Sequence, residues 1–345
     1  MNTNTPLPAS PKGRRTAAQA KQEDLSGNKL LPIGEIGRGF KRYNDYSSFI
    51  KNKFNQRVQK ISLNTGFTCP NRDGTKGIGG CTYCNNNTFS PGYCKPIKTV
   101  SQQLEEGIIF FSKKYKAQKY LAYFQSYTNT YASIDLLKNM YLEAVNYPDV
   151  IGLVIGTRPD CINPEIVEML SEISKKYFVS LEFGVESTLN RTLKLINRCH
   201  TFEETSAAYK MAQNKGFYLG AHMILNLPGE SREDMLNHAK ELSKLPINTL
   251  KIHQLQIVKH TVMALQYYEK PDMFNLFDVD QYIELVVEFV TLLRPDIIIE
   301  RFTSESPKHL LIAPQWGGKK NFEIVNKIEK KLLEKDYWQG KYVEL

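Results

Sequence analysis

Three cysteines within one glycine-rich loop constrain this chain more than any other feature of its sequence. Cys69, Cys81 and Cys84 have the spacing C-x11-C-x2-C, and four glycines lie between the first two. Three thiolates on such a loop can bind three corners of a cubic iron–sulfur cluster and leave the fourth iron open. A closed zinc site is the alternative, but it takes four nitrogen or sulfur ligands. The nearest further candidates are Cys94, ten residues on, and His200, so no fourth ligand is obvious.

The composition bounds the class of protein to which the chain can belong. With 345 residues, of which 41% are hydrophobic, it can bury one large core of the kind found in an α/β barrel. No stretch reaches the roughly 18 apolar residues that a membrane span needs. Six cysteines, three of them in one loop rather than spread in pairs, are typical of a reducing compartment. We therefore predict a cytoplasmic protein that does not enter the membrane.

The net charge of +9 indicates an anionic partner, and nucleic acid is the leading candidate. General solubility is the alternative, because lysine-rich helix faces are commonly just solvated. The basic residues that could contact phosphate groups are Lys12, Arg14, Arg15, Lys113, Lys114, Lys116, Lys119, Lys319 and Lys320.

From about residue 40 the chain alternates between strand-like and helix-like patterns. Strands are predicted at 57–64, 119–125, 150–156, 178–186, 217–225 and 249–257, with a possible short strand at 297–299. Capping-box spacings at Thr99, Thr201 and Asp278 predict the starts of three helices. Such an order implies a parallel sheet with right-handed crossovers, either open or closed into a barrel. Polar residues follow at least four of the strands, where barrel active sites are built, and this favours a full or partial barrel.

The predicted strand at 178–186 has two faces of different kind. Apolar side chains occupy positions 179, 181, 183 and 185, while Glu182 and Glu186 lie on the other face. Because the apolar face must meet covering helices, both carboxylates are expected in the barrel interior, where they need polar partners. An edge strand with one solvated face is the alternative.

The loop resembles the cluster loop of the radical S-adenosylmethionine superfamily, in which an aromatic residue such as Tyr83 precedes the last cysteine. The usual spacing there is C-x3-C-x2-C; a longer first gap is found in the elongator-type enzymes that act on the wobble uridine of tRNA. More closely, the chain resembles a bacterial YhcC-like subfamily over residues 40–320. The matching stretches are GFTCPNRDGT at 66–75, YFQSYT at 123–128, GTRPDC at 156–161, LINR at 195–198 and LPGE at 227–230.

The resemblance implies an α/β protein with a partial (β/α)6 TIM-like barrel and a short C-terminal extension. Residues 1–38 would be a disordered basic tail, 39–300 the barrel, and 301–345 the extension packed on it. The implied cofactors are a [4Fe–4S] cluster and S-adenosylmethionine, which the enzyme would cleave reductively to a 5′-deoxyadenosyl radical. An electron donor such as flavodoxin or ferredoxin would be a partner, and tRNA the substrate. A protein or small-metabolite substrate, or a non-catalytic zinc-stabilised RNA-binding protein, remain the alternatives.

The resemblance also implies roles for individual residues. Cys69, Cys81 and Cys84 are the implied cluster ligands. The residues implied to contact S-adenosylmethionine are Tyr83, Gln125, Ser126, Thr128, Glu182, Glu186 and His222. Tyr83 would pack near the adenine or simply over the cluster. The Gly-Gly-Glu that usually ends the second strand is absent, so backbone carbonyls are expected to serve in its place.

Three residues are predicted to take part in catalysis, each with a plainer alternative. Glu182 matches a position that contacts the ribose or the methionyl end, or it makes structural hydrogen bonds. Arg158 could bind a carboxylate of the cofactor or a phosphate of the substrate, or pair with Asp160. Cys161 could supply a hydrogen atom or bind substrate, or be a small buried side chain. His222 could equally be a core histidine.

Overall fold

A seven-stranded parallel sheet is the centre of the computed structural model, which describes residues 41–113 and 118–343. Its strand order is β1-β2-β3-β4-β5-β6-β8. The strands are β1 (Val58–Leu63), β2 (Lys119–Phe124), β3 (Val150–Thr157), β4 (Phe178–Glu186), β5 (Tyr218–Leu225), β6 (Thr249–Gln254) and β8 (Ile298–Arg301). Two short strands, β7 (Ile257–Val258) and β9 (Leu311–Ala313), pair antiparallel in a separate small sheet.

Helices connect successive strands and cover the sheet. They are α1 (Tyr46–Phe54), α2 (Val100–Ser112), α3 (Ile134–Val145), α4 (Pro164–Ser174), α5 (Asn190–Leu195), α6 (Phe202–Ala212), α7 (Arg232–Ser243), α8 (Val262–Glu269), α9 (Val279–Thr291) and α10 (Asn321–Glu334). Capping boxes begin α2 at Thr99, α6 at Thr201 and α9 at Asp278, where the sequence predicts them. None of the described helices has both the length and the apolar character needed to cross a membrane.

Contacts between distant strands show that the sheet curls into a partial barrel. Lys60 on β1 lies 2.7 Å from Glu300 on β8, although these strands are the two edges of the sheet. Neighbouring strands are about 4.8 Å apart, so the edges of a flat seven-stranded sheet would be nearly 30 Å apart. The curl therefore brings the first and last strands close without hydrogen-bonding them, and the predicted partial TIM-like barrel is confirmed.

The two faces of β4 meet different surroundings, as the alternation predicts. Val179, Leu181, Phe183 and Val185 are buried in the main hydrophobic core, where the Phe183 ring contacts Tyr209 of α6 edge-on at 5.0 Å. Glu182 faces the other way and contacts lysines of other strands. The core thus lies between sheet and helices, and the barrel interior is polar.

The sheet differs from the prediction at its last strands. The predicted short strand at 297–299 is a full member of the sheet, β8, paired with β6. The sixth strand ends at Gln254 instead of continuing to 257, because residues 257–258 pair with β9 in the small sheet. After β9, α10 packs on α9. The predicted tail at 1–38 lies outside the described residues.

Candidate active site

A cavity of about 250 Å³ opens at the carboxyl ends of the strands. Cys69, Cys81 and Cys84, in the loop after β1, line one side of it. The other strands contribute from the same ends: Thr128 follows β2, and Arg158 follows β3. Because the seven strands of the main sheet are parallel, their carboxyl ends meet at one edge, and this arrangement assembles a site from residues far apart in sequence.

Each of the three sulfurs has a side-chain donor beside it. Thr128 donates to Cys69 at 3.0 Å, Asn71 to Cys81 at 3.3 Å, and Asn86 to Cys84 at 3.8 Å. Burial raises the pKa of the Cys69 thiol and raises that of Cys84 to about 12. Metal binding would have to release these protons, and the donors would then stabilise the thiolates.

Two arginines add positive charge at the cysteines. Arg198 is buried, and its guanidinium lies 3.5 Å from the Cys81 sulfur and 3.7 Å from Glu186. Arg72 reaches the carbonyl of Cys84 at 3.4 Å. A Cβ at Gly184 would lie 2.4 Å from Arg198, so a side chain there would displace the guanidinium. Cations beside thiolates stabilise the charged form.

These residues fit a [4Fe–4S] cluster held at three corners. The donor set is three thiols on one loop, supplied with hydrogen bonds and balanced by cations. In the described part of the chain, no three His, Cys, Asp or Glu side chains converge closely enough to enclose a single metal ion. A cubane cluster instead takes its thiolates spread around separate irons.

The eleven residues between Cys69 and Cys81 fold into a small hairpin. A bridge joins Asp73 to Ile78, and Asn197 donates to the carbonyls of Ile78 at 3.1 Å and Gly80 at 2.8 Å. Asn197 has φ of 53°, a left-handed conformation that asparagine adopts more readily than most residues. Asn197, two residues after the end of α5, thus holds the cysteine loop in place through its side chain.

Replacing Asn197 with alanine should loosen this loop. Two hydrogen bonds are lost and an alanine must adopt positive φ, which together cost about 2–3 kcal/mol. Hydrogen exchange at the Gly80 amide, which is bonded to the Asn71 carbonyl at 2.8 Å, should speed up about 30-fold or more. Asn214→Ala is the matched control, because Asn214 also has positive φ, of 60°, but is exposed beyond α6. Equal exchange rates in both variants would contradict the anchoring role.

Arg158 and Asp160 form the salt bridge that the sequence allowed as an alternative. The pair is bidentate, at 2.9 and 3.0 Å, and Arg158 also donates to the carbonyl of Arg198 at 2.8 Å. Lys76 of the hairpin reaches Asp160 at 2.7 Å. Burial would raise the pKa of Asp160, but Arg158 and Lys76 outweigh it and lower the pKa to about 2. The Nη1 atom of Arg158 is buried and has no hydrogen-bond partner among the described residues.

Asp160→Asn should therefore destabilise the protein in a pH-dependent way. Because the pKa of about 2 in the folded protein is below the ordinary aspartate value of 3.8, the ionised group stabilises the fold by about 2 kcal/mol above pH 4. Urea unfolding of the metal-free protein should show the full difference from wild type at pH 7 and 5. The difference should shrink as the pH falls from about 4 towards 2. A difference that stays constant down to pH 3 would contradict this account.

A network of buried charges lies beneath the cavity. The Glu182 carboxylate contacts Lys251, Lys60 at 3.3 Å and His222 at 2.9 Å. Burial would raise the pKa of Glu182, but Lys251 and Lys60 hold it well below its usual range. Burial and then Lys251 lower the pKa of His222 to about 4, so this imidazole is neutral at pH 7.

The structure brings most of the predicted site residues to one cavity. Those that line it are Cys69, Cys81, Cys84, Tyr83, Gln125, Thr128, Arg158, Glu182, Glu186 and His222. Ser126 does not line it; its hydroxyl is buried 3.1 Å from that of Ser90. Cys161 does not line it either, because its thiol faces Asp160. Burial raises the pKa of the Cys161 thiol to about 12. The roles predicted for these residues stay predictions.

The predicted phosphate contacts are spread over the molecule. Lys119 begins β2, so it lies at the end of the barrel opposite the cavity, and it pairs with Asp149. Lys113, just after α2, is exposed. Lys319 and Lys320 are exposed as well, the latter 3.7 Å from Glu305. The remaining candidates, Lys12, Arg14, Arg15, Lys114 and Lys116, lie outside the described residues.

Several cavity residues carried no role in the sequence prediction. They are Asn71, Arg72, Tyr127, Arg198 and Arg301. Asn71, Arg72, Tyr127 and Arg198 lie inside stretches that match the family, which is the one signal that pointed to them. Arg301 lies at the end of β8, where only a short, possible strand was predicted, so nothing in the sequence set it apart.

Comparison with known proteins places the chain in a family. The model of the Radical SAM superfamily matches residues 63–242, and that of the Radical SAM C-terminal domain matches residues 247–342. The protein YtqA of Bacillus subtilis (strain 168) is 33% identical over 88% of this chain and 94% of its own length. YhcC of Escherichia coli (strain K12) is 32% identical over 80% of this chain and 88% of its own.

Two further likenesses are more distant. Elongator complex protein 3 of Homo sapiens is 27% identical over 182 residues. The matched region is 50% of this chain and only 32% of that protein. The solved structure of the archaeal Methanocaldococcus infernus Elp3, lacking residues 1–46, matches with a TM-score of 0.61 at 17% identity. It covers 82% of this chain and 64% of that one, and it supports the fold alone. From the family models and the two bacterial relatives together, the chain belongs to the radical S-adenosylmethionine superfamily, in its YhcC-like branch, and is an enzyme with a [4Fe–4S] cluster and S-adenosylmethionine as cofactors.

Proposed function

We propose that this enzyme modifies tRNA and that the wobble uridine is its target. The observation that carries the proposal is the cysteine loop, whose lengthened first gap resembles that of the elongator-type enzymes. The partial sequence similarity to Elongator complex protein 3 supports the same substrate class. The net charge of +9 is compatible with a polyanionic substrate.

Exposed basic residues near the rim of the cavity support an RNA partner. Gln256 and Val258, at the small β7–β9 sheet, line the cavity and so place this sheet at its rim. Lys259 directly follows β7, and Lys308 precedes β9; both side chains are exposed. Neither takes part in an ion pair within the described ranges. Lysines so placed could contact phosphates on either side of a nucleotide that enters the cavity.

The residues around the three cysteines would hold the cofactors. Cys69, Cys81 and Cys84 would ligate the cluster, and Thr128 and Arg198 would donate to their sulfurs. When bound, the cluster and S-adenosylmethionine supply a 5′-deoxyadenosyl radical that abstracts a hydrogen atom from the substrate. Arg158 lines the cavity, and its buried Nη1 has no hydrogen-bond partner among the described residues, so it would donate to a carboxylate of the cofactor.

We further propose the remaining features predicted from sequence. Tyr83, Gln125, Glu182, Glu186 and His222 would contact S-adenosylmethionine or its surroundings, directly or through water. Residues 39–300 would form the barrel domain and 301–345 its extension. A small electron-transfer protein such as flavodoxin or ferredoxin would supply electrons, and the enzyme would act in the cytoplasm.

Anaerobic reconstitution tests the proposal. The reconstituted protein should show broad iron–sulfur absorption near ~400 nm and cleave S-adenosylmethionine under reducing conditions, faster when total tRNA is present. Nucleoside mass spectrometry of tRNA from a deletion strain should show the loss of one modification. An unchanged nucleoside profile would overturn the tRNA assignment and favour a protein or metabolite substrate. Zinc retention without the absorption would overturn the enzyme assignment.

A further inference from the structure

The cavity has two sides that differ in their polar groups. The groups beside the cysteine sulfurs, including Thr128 and Arg198, come from segments after β2 and β4. The opposite wall comes from β5, β6 and β8, which contribute His222, His253 and Arg301. The first side accounts for the cluster loop, and His222 of the second side is assigned to the surroundings of S-adenosylmethionine. His253 and Arg301 are therefore available for the molecule on which the enzyme acts.

Two basic side chains on this second wall lack partners. The Nε2 atom of His253 and the Nε atom of Arg301 are buried and have no hydrogen-bond acceptor among the described residues. No ion pair or hydrogen bond within the described ranges involves the Arg301 guanidinium at all. Buried polar nitrogens of this kind are costly unless something pairs with them. An acceptor that enters the cavity would remove this cost.

The charges around this wall leave a positive excess. The cations Lys60, Lys251 and Arg301 face only two carboxylates, Glu182 and Glu300, and both lysines contact both carboxylates. The rings of His222 and His253 stack with their centroids 5.8 Å apart. Burial first and then Arg301 hold the pKa of His253 well below its usual range, so it is neutral. Arg301 is therefore the one cation of this group whose charge is not neutralised by a contacting carboxylate.

Glu305 is the other carboxylate at this end of the cavity, but it is already engaged. It accepts from the backbone of Asn321 at 2.7 Å and lies 3.7 Å from Lys320. It is also exposed, so solvent would weaken an ion pair with it. The unpaired guanidinium of Arg301 thus points to a ligand from outside the chain.

We propose that Arg301 and His253 form a pocket for an anionic group of the substrate, a carboxylate or a phosphate. The proposal rests on the proposed function in one respect: the reacting molecule enters this cavity. The planar guanidinium donates to two oxygens side by side, and His253 supplies a further hydrogen bond. Anchoring at this wall would position the substrate across the cavity from the cysteines.

Arginine and histidine variants of the reconstituted full-length enzyme test this pocket. Arg301→Gln should lower tRNA-dependent turnover about 10- to 100-fold, the loss expected for a hydrogen-bonded charge. It should leave cluster absorption and tRNA-independent cleavage of S-adenosylmethionine unchanged. Arg301→Lys should recover part of the activity, and His253→Gln should raise KM more than it lowers kcat. Arg232→Gln is the control, since Arg232 pairs with Glu288 outside the barrel, and it should behave as wild type.

Small anions identify the group and keep the test independent of tRNA. Glycolate and inorganic phosphate are added at equal ionic strength, and the melting temperature of the holoenzyme is followed. Stabilisation by glycolate alone indicates that the substrate group is a carboxylate. Stabilisation by phosphate alone indicates that it is a phosphate. Either stabilisation should disappear in Arg301→Gln. No stabilisation by either anion overturns the pocket, as does a variant that loses tRNA-independent cleavage. Failure of tRNA to stimulate wild type while an anion still binds would overturn the tRNA assignment only.

Discussion

Replacing Cys81 with serine should abolish both the iron–sulfur absorption and the cleavage of S-adenosylmethionine. Cys81 is buried at the cavity, where Asn71 and Arg198 donate to its sulfur. A serine hydroxyl is a poor ligand for iron, and a cluster with two protein thiolates is not held at three corners. We expect activity to fall by at least about 1000-fold, as when one member of a catalytic unit is lost. Iron content, absorption and 5′-deoxyadenosine formation measure the effect.

Cys94→Ser is the matched control for this variant. Cys94 is also buried, but its thiol donates to the carbonyl of Ser62 at 2.8 Å, a bond that serine can make. The control should keep its iron and its activity. Retention of a full cluster in Cys81→Ser, or its loss in Cys94→Ser, would show that the ligands have been assigned wrongly.

Replacing Glu182 with glutamine should destabilise the metal-free protein by about 3 kcal/mol or more, because it breaks a buried ion pair without removing the partner. Lys60 and Lys251 would then share one carboxylate, that of Glu300. Burial already lowers the pKa of Lys251 to about 8 with Glu182 present. Loss of the carboxylate lowers it further, so the cost is limited by deprotonation of this lysine. Urea unfolding at pH 7 measures the free-energy change.

A second substitution and a surface variant make the test specific. Adding Lys251→Met to Glu182→Gln should recover much of the lost stability, because the unpaired charge is removed with its partner. Glu284→Gln is the control: Glu284 also contacts two lysines, Lys331 and Lys335, but on the surface. It should cost less than about 1 kcal/mol. Equal effects of the two glutamine variants would contradict a special role for the buried network.

Much of the local structure could be predicted because it depends on neighbours in sequence. The limits of β4 were predicted at Phe178 and Glu186, since period-two alternation over nine residues is unambiguous. The capping boxes at Thr99 and Thr201 were also predicted, because donor and acceptor are three residues apart. The edge strand β8 was the weakest prediction, since four residues carry little periodic signal.

The contacts that shape the site were not predictable in this way. Asn197 holds a loop more than 100 positions away in sequence, and Glu182 meets lysines of β1 and β6. Which side chains meet across the interior depends on how strongly the sheet curls and on its register. No local pattern encodes those quantities, so Glu182 was predicted to face the interior but without its partners.

The sequence by itself predicted the cluster ligands and determined the alternation of strands and helices and the family, because each resides in spacing along the chain. Only the tertiary structure decided which side chains lie beside the three cysteines and across the cavity from them. Arg198 at Cys81, Lys76 at Asp160 and the unpaired Arg301 opposite them depend on where strands end after the sheet has curled. The physical reason is that hydrogen bonds and ion pairs act over a few ångströms, and folding alone brings distant residues within that range.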